Sequence, residues 1–125
     1  MPLNDKDPNY WFELAKHDID SVTLLLSEKG YPDIIIYHMH QAAEKLLKGH
    51  ILKVNTEFPY IHDLERLFKI LTDKDARHSS VADAIISLQS YYKDLRYPQS
   101  DMLQQSDLKI AKQAYDTITN QLNPH

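Results

Sequence analysis

The sequence predicts an all-α protein, an antiparallel up-and-down bundle of about five helices folded as a single domain over residues 1–125. Three observations carry that prediction. Apolar residues recur at the three- and four-residue spacing of a helix face along most of the chain. Proline, glycine and clusters of polar residues fall between those periodic stretches. No segment sustains the alternation of a half-buried strand, and the β-branched run Ile34-Ile35-Ile36 sits inside a longer helical pattern. Short connections between such helices favour antiparallel neighbours.

The first helix is expected to begin near Pro8, with Asp7 as its cap, and to bury Trp11, Ala15, Ile19, Val22 and Leu26. Gly30 stands where a left-handed residue would end it. The second runs from about Pro32 to Val54, and a loop containing Pro59 follows. A short third helix is expected over about His62 to Leu71, with Leu64, Leu67, Phe68 and Leu71 on one side. Thr72 to His78 is polar and charged and reads as a connector. Ser79 or Ser80 would cap a fourth helix carrying Val81, Ile85, Leu88, Tyr92 and Leu95, which Arg96-Tyr97-Pro98 ends. Ser106 would cap a fifth, with Leu108, Ala111, Tyr115, Ile118 and Leu122 inward.

Composition narrows the function classes. A formal net charge of −4 argues against indiscriminate nucleic-acid binding, which depends on phosphate neutralisation, but leaves room for a local basic patch. The 2 glycines, Gly30 and Gly49, form no phosphate-cradling loop, so any bound phosphate must be held by side chains. With 0 cysteines there is no disulfide and no cysteine-based zinc site. No apolar run approaches the roughly 20 residues of a membrane helix. The opening MPLNDKDPNYW lacks the basic-then-apolar order of a signal peptide, so a cytoplasmic location is expected.

The most informative stretch is Tyr37 to Lys48, YHMHQAAEKLLK. At about 100° per residue, His38, Gln41, Lys45 and Lys48 share an arc of roughly 80°, with Met39, Ala42, Ala43, Leu46 and Leu47 turned away. Lysines hold phosphate as point charges, and a glutamine and a histidine can read a base or sugar. The competing explanation is a solvated face carrying a Glu44–Lys48 ion pair at i,i+4. Ile34 and Leu52 lie on the same side, which suggests that another helix or a partner partly covers it. His38 and His40 are about 200° apart on the wheel and cannot share a metal. The other histidines are dispersed, no HExxH spacing occurs, and neither a metal nor a cofactor is expected.

Two further places carry candidate residues. His62 either bonds locally beside Asp63 at a helix start or stands beside the second helix at the mouth of a site. Arg96 is favoured at a helix C-terminus by the dipole, yet with Tyr91, Tyr92 and Tyr97 it also forms a platform for stacking and cation–π contact. No serine, threonine or lysine nucleophile has a partner at defined spacing, and no paired carboxylates stand out.

The order of motifs adds to this. Trp11 with Ala15 and Asp18 is followed by Gly30-Tyr31-Pro32, by His38 to Lys48 with its Gln-Ala-Ala-Glu-Lys core, by His62-Asp63-Leu64-Glu65-Arg66-Leu67, and late in the chain by Arg96-Tyr97-Pro98. Over nearly the whole chain this resembles the HEPN domain (higher eukaryotes and prokaryotes nucleotide-binding). The resemblance implies an antiparallel helical bundle, a homodimer, and association with a nucleotide or RNA. It also implies a nucleotidyltransferase protein partner, the two acting as a toxin–antitoxin or two-component system. Many members are metal-independent ribonucleases with an Arg-x4–6-His motif. Here that motif is absent: Arg66 is followed at the relevant positions by Leu71, Thr72 and Asp73, Arg77 by Ala82, Asp83 and Ala84, and Arg96 by Asp101, Met102 and Leu103.

The expected function is therefore a non-catalytic binding domain. Lys45, Lys48 and Arg96 would hold phosphate, Gln41 and His38 would hydrogen-bond, Tyr97 would stack, and His62 would complete the surface. The alternatives are a divergent metal-independent ribonuclease and a purely structural protein-interaction domain.

Overall fold

The computed structural model describes residues 4–55, 57–96 and 102–124. Among them are six α-helices and one 3₁₀ segment, with no strand: α1 (Pro8–Ser27), α2 (Pro32–Val54), α3 (Leu64–Lys74), a 3₁₀ segment (Ala76–Val81), α4 (Ala82–Gln89), α5 (Tyr92–Arg96) and α6 (Gln105–Leu122). The all-helical bundle expected from the sequence is what forms. The long α2 is its central member, packed on α1, α3, α5 and α6, while α4 closes against α3 and α6.

α1 begins as expected. Asp7 accepts from the Asn9 N–H at 2.9 Å, and Pro8 occupies the first turn, where its missing donor costs nothing. Its end differs by one residue. Lys29, with φ 56°, is the left-handed residue, and the Gly30 N–H reaches back to the Leu25 carbonyl at 2.8 Å. With the Lys29 N–H on the Leu26 carbonyl at 3.2 Å this is a Schellman motif, with Gly30 one place beyond the left-handed position. The inward stripe of α1 is also rotated: Phe12, Ala15, Asp18 and Val22 are buried, whereas Trp11, Ile19 and Leu26 are only half-buried. Gly49 on α2 explains the turn. A Cβ there would lie 2.5 Å from Phe12 Cε1, so the missing side chain is the space the ring fills.

α2 spans the residues expected of it and supplies Ile35, Ile36, Met39, Leu46, Leu47 and Ile51 to the middle of the core. Downstream the punctuation is finer than periodicity suggested. α3 starts after Asp63, whose carboxylate accepts from the Glu65 N–H at 3.0 Å, and it continues to Lys74. The expected polar connector is largely structured. Asp75 caps the 3₁₀ segment through the Arg77 N–H at 3.1 Å, and His78 within it is buried. Neither Ser79 nor Ser80 caps α4, because the 3₁₀ segment runs straight into it.

The long fourth helix is broken in two. The Ser90 hydroxyl donates to the Ser87 carbonyl at 2.6 Å, Tyr91 turns inward, and the chain resumes as the short α5. Serine bonding its own helix backbone competes with the ladder in this way. Finally, Gln104 caps α6 in place of Ser106, its N–H donating to the Asp107 carboxylate at 2.8 Å. No helix among the described residues is long and apolar enough to cross a membrane.

Candidate functional site

The polar arc of α2 divides into two clusters, each built around a buried carboxylate. The first carboxylate is Asp18, which α1 presents in its apolar stripe between Ala15 and Val22. His38 Nδ1 lies 2.9 Å from Asp18 Oδ1, and Lys45 Nζ donates to Oδ2 at 2.6 Å. Two turns separate His38 from Lys45 on one face of α2, so a single carboxylate on the facing helix bridges them. An ionised carboxylate only accepts, so the imidazole must donate from Nδ1, and Nε2 is its remaining nitrogen.

The second carboxylate is Glu44, on α2 itself. Lys48 Nζ donates to Glu44 Oε2 at 3.0 Å, with both side chains buried. The ammonium is roofed by aromatic rings, 5.2 Å from the Trp11 centroid and 5.3 Å from that of Phe58. The Trp11 indole is fixed in turn by donating to the Asp5 carbonyl at 2.8 Å and by edge contact with Phe58. The expected i,i+4 ion pair is thus present, but it is interior and not a wet face. Lys48 is thus a buried residue, with its ammonium on Glu44 and beneath two rings.

His62 completes the second cluster. Its Nδ1 lies 3.0 and 3.2 Å from the two Glu44 oxygens, while its ring is 57% exposed. Asp63 performs the helix-start role, and His62 reaches across to α2. The result is an imidazole held from behind by a buried carboxylate, with Nε2 pointing away from that anchor.

Beside it is a shallow depression of about 250 Å³ lined by Tyr37, Gln41, His62, Tyr92 and Arg96. Arg96 bonds the Tyr92 hydroxyl, and its guanidinium carbon lies 5.3 Å from the Tyr92 ring centroid. On its other partner Tyr92 stacks at 4.9 Å and 23° against His40. His40 is buried, and its Nε2 meets Gln89 Oε1 at 3.0 Å. The Leu64 N–H donates to that same oxygen at 2.9 Å, which identifies Oε1 as the acceptor and His40 Nε2 as a second donor. Burial holds the His40 imidazole below its ordinary pKa, so it packs as a neutral ring beneath Tyr92. His38 and His40 therefore serve opposite sides of α2.

Of the candidates expected from the sequence, Gln41, His62 and Arg96 converge on one depression. His38 and Lys45 form a separate cluster with Asp18, and Lys48 is interior. Tyr97 lies outside the described residues. Sequence reasoning assigned no role to Asp18, His40 or Gln89. An acid inside the apolar stripe of α1 was the available signal for Asp18. Nothing local distinguishes Gln89 from any other polar helix residue.

None of the curated proteins compared, and none of the solved structures, matches the chain. The family model described as HEPN domain matches residues 8–123. That match takes in every helix from α1 to α6, and the chain belongs to the HEPN domain family.

Proposed function

We propose that this chain is a non-catalytic HEPN domain that binds a nucleotide or RNA in the depression between α2, His62 and α5. Membership of the family supports a nucleotide- or RNA-related function. The observation that carries the finer reading is convergence: three elements bring an amide, an imidazole, a guanidinium and two phenol rings to one concavity. A guanidinium grips a phosphate through paired N–H donors, an amide reads a base edge, and tyrosine rings stack on bases. Lys48 serves the Glu44 carboxylate and Lys45 that of Asp18, while Arg96 and His62 line the concavity itself.

A thermal-shift and calorimetry panel of nucleotides and short RNAs tests this. Binding should be lost in an Arg96→Ala, Gln41→Ala double variant that keeps its helical circular dichroism. A panel in which no ligand separates wild type from that variant refutes it. As part of the same reading the protein is a cytoplasmic homodimer and partners a nucleotidyltransferase, as half of a toxin–antitoxin or two-component system. Co-purification with the product of the adjacent reading frame is the direct check.

One observation favours a second reading, a divergent metal-independent ribonuclease. Glu44 holds His62 by Nδ1 and leaves Nε2 as a proton acceptor beside Arg96, which is how a general base is oriented next to an anion clamp. RNA cleavage in excess chelator, abolished by His62→Ala, would establish it.

A further inference from the structure

We propose that the cavity between the turn before α1 and the loop before α3 binds an alkylammonium group, the head of a lysine side chain of a protein partner or of a free amine.

The cavity measures about 170 Å³ and is lined by Asp5, Lys6, Leu52, Glu57, Phe58 and Tyr60. It shares no residue with the depression around His62. Leu52 lies roughly 16 Å along α2 from Gln41, at a rise of about 1.5 Å per residue. The volume falls below the roughly 300 Å³ at which drug-sized ligand pockets begin, so it suits the end of a side chain or a small amine and not a nucleotide.

The walls are positioned by their neighbours. The Asp7 N–H donates to the Asn4 carbonyl at 3.0 Å, and the Trp11 indole donates to the Asp5 carbonyl at 2.8 Å, which ties this turn to α1 by its backbone. In the loop before α3 the Ile61 N–H donates to the Pro59 carbonyl at 2.9 Å, so the chain turns at Tyr60 and carries that ring to the surface, 85% exposed. Phe58 packs on the core, in edge contact with Trp11 at 5.2 Å and with Tyr60 at 6.1 Å between centroids.

Charge selects the sign of the ligand. The Asp5 and Glu57 carboxylates form no ion pair among the described residues. Against them Lys6 is the single cation of the lining, so the cavity is net negative. Carboxylate and rings together are how this fold already holds an ammonium in its interior. Lys48 Nζ sits on Glu44 at 3.0 Å, with the Trp11 and Phe58 centroids 5.2 and 5.3 Å away. Phe58 belongs to both places, roofing Lys48 on the inside and lining the cavity beside Tyr60, Asp5 and Glu57 on the outside. The negative faces of the rings attract a cation, and the carboxylates add hydrogen-bond acceptors for its N–H groups. An anion is repelled here, and an uncharged alkyl end gains only ring contact. Lys6 competes with the ligand for the same carboxylates, so its removal should act opposite in sign to every other change in the lining.

The probe is Nα-acetyl-lysine methylamide, titrated into the isotope-labelled full chain and followed by amide NMR. Butylamine is the free-amine arm, and Nα,Nε-diacetyl-lysine methylamide is the uncharged control. Shifts at Asp5, Lys6, Glu57, Phe58 and Tyr60 should saturate with either amine and be absent with the control. Tighter binding of the lysine derivative identifies a protein partner's lysine as the source, and equal affinities identify a free amine. Glu57→Gln and Tyr60→Ala should each weaken binding about two- to fivefold, as expected of one exposed ion pair or one exposed cation–π contact. Lys6→Ala should strengthen it by about twofold. All three are surface substitutions, and circular dichroism should show an intact fold in each. Equal shifts with the uncharged control, no shift at those residues with either amine, or weaker binding in Lys6→Ala overturns the inference.

Discussion

The Asp18 and Glu44 clusters contain the same three groups, a buried carboxylate, a lysine and a histidine bonded through Nδ1. They differ in where water enters. Around Asp18 the two cationic partners are alike, His38 at 28% and Lys45 at 22% exposure, and the cluster ties α1 to α2 at the edge of their interface. Around Glu44 the partners are unlike: Lys48 is 6% exposed beneath two rings, and His62 is 57% exposed. A carboxylate with both partners half-wet acts as a strut. With one partner dry and the other wet it becomes a post that holds an imidazole at the surface. Burial alone gives identical groups different surroundings.

Breaking the dry side should have the largest effect. Glu44→Ala leaves the Lys48 ammonium buried without its counterion, and removal of one partner from a buried pair costs about 3–5 kcal/mol. Urea unfolding should show it. A Glu44→Gln, Lys48→Met double variant, which removes both charges together, should recover most of the loss and so demonstrate that the penalty is an unpaired charge.

Removing the carboxylate charge at the wetter cluster should cost less. Asp18→Asn weakens hydrogen bonds to charged partners, ordinarily about 1.5–3 kcal/mol, and His38 and Lys45 can turn to solvent. A loss at the lower end of that range, and smaller than that of Glu44→Ala, sharpens the contrast. Equal losses would remove it.

Acid offers a third comparison. Burial lowers the pKa of His40, His50 and His78 below the ordinary 6.5. His50 donates to the Leu122 carbonyl at 2.6 Å, and its ring lies 5.0 Å from that of His78. Because the folded state holds these rings neutral, the unfolded chain takes up protons first. Their contribution is complete above about pH 6.5 and is lost as pH falls from there toward the lowered values. The urea midpoint should fall between pH 7 and pH 5.5, and fall less in a His50→Gln, His78→Gln variant.

The smallest effect on stability should come from the open edge of the Glu44 cluster. Arg96→Ala is a surface substitution expected to change stability by no more than about 0.5 kcal/mol while weakening RNA binding. A large loss of stability would mean that α5 depends on Arg96 as a structural residue.

Much of the fold was legible because its signals are local. Pro8 with Asp7, and Pro32 through Val54, are read from propensity and spacing within a turn or two, and α1 and α2 start at those residues. The errors came where neighbours compete. Trp11 and Phe12 are adjacent and both apolar, and only the space above Gly49 decides which one enters the core. Ser90 breaks a stripe that Val81 to Leu95 otherwise continues.

The sequence by itself determined the helical class, the central helix and the collection of His38, Gln41, Glu44, Lys45 and Lys48 on one side of it, because a helix places residues by number alone. Which of them faces water was decided only by packing. Asp18 meets His38 across 20 residues, Glu44 meets His62 across 18, and Trp11 closes over Lys48 from another helix. Those encounters depend on how α1 and the loop before α3 lie against α2, and no periodicity within one helix encodes the orientation of the next.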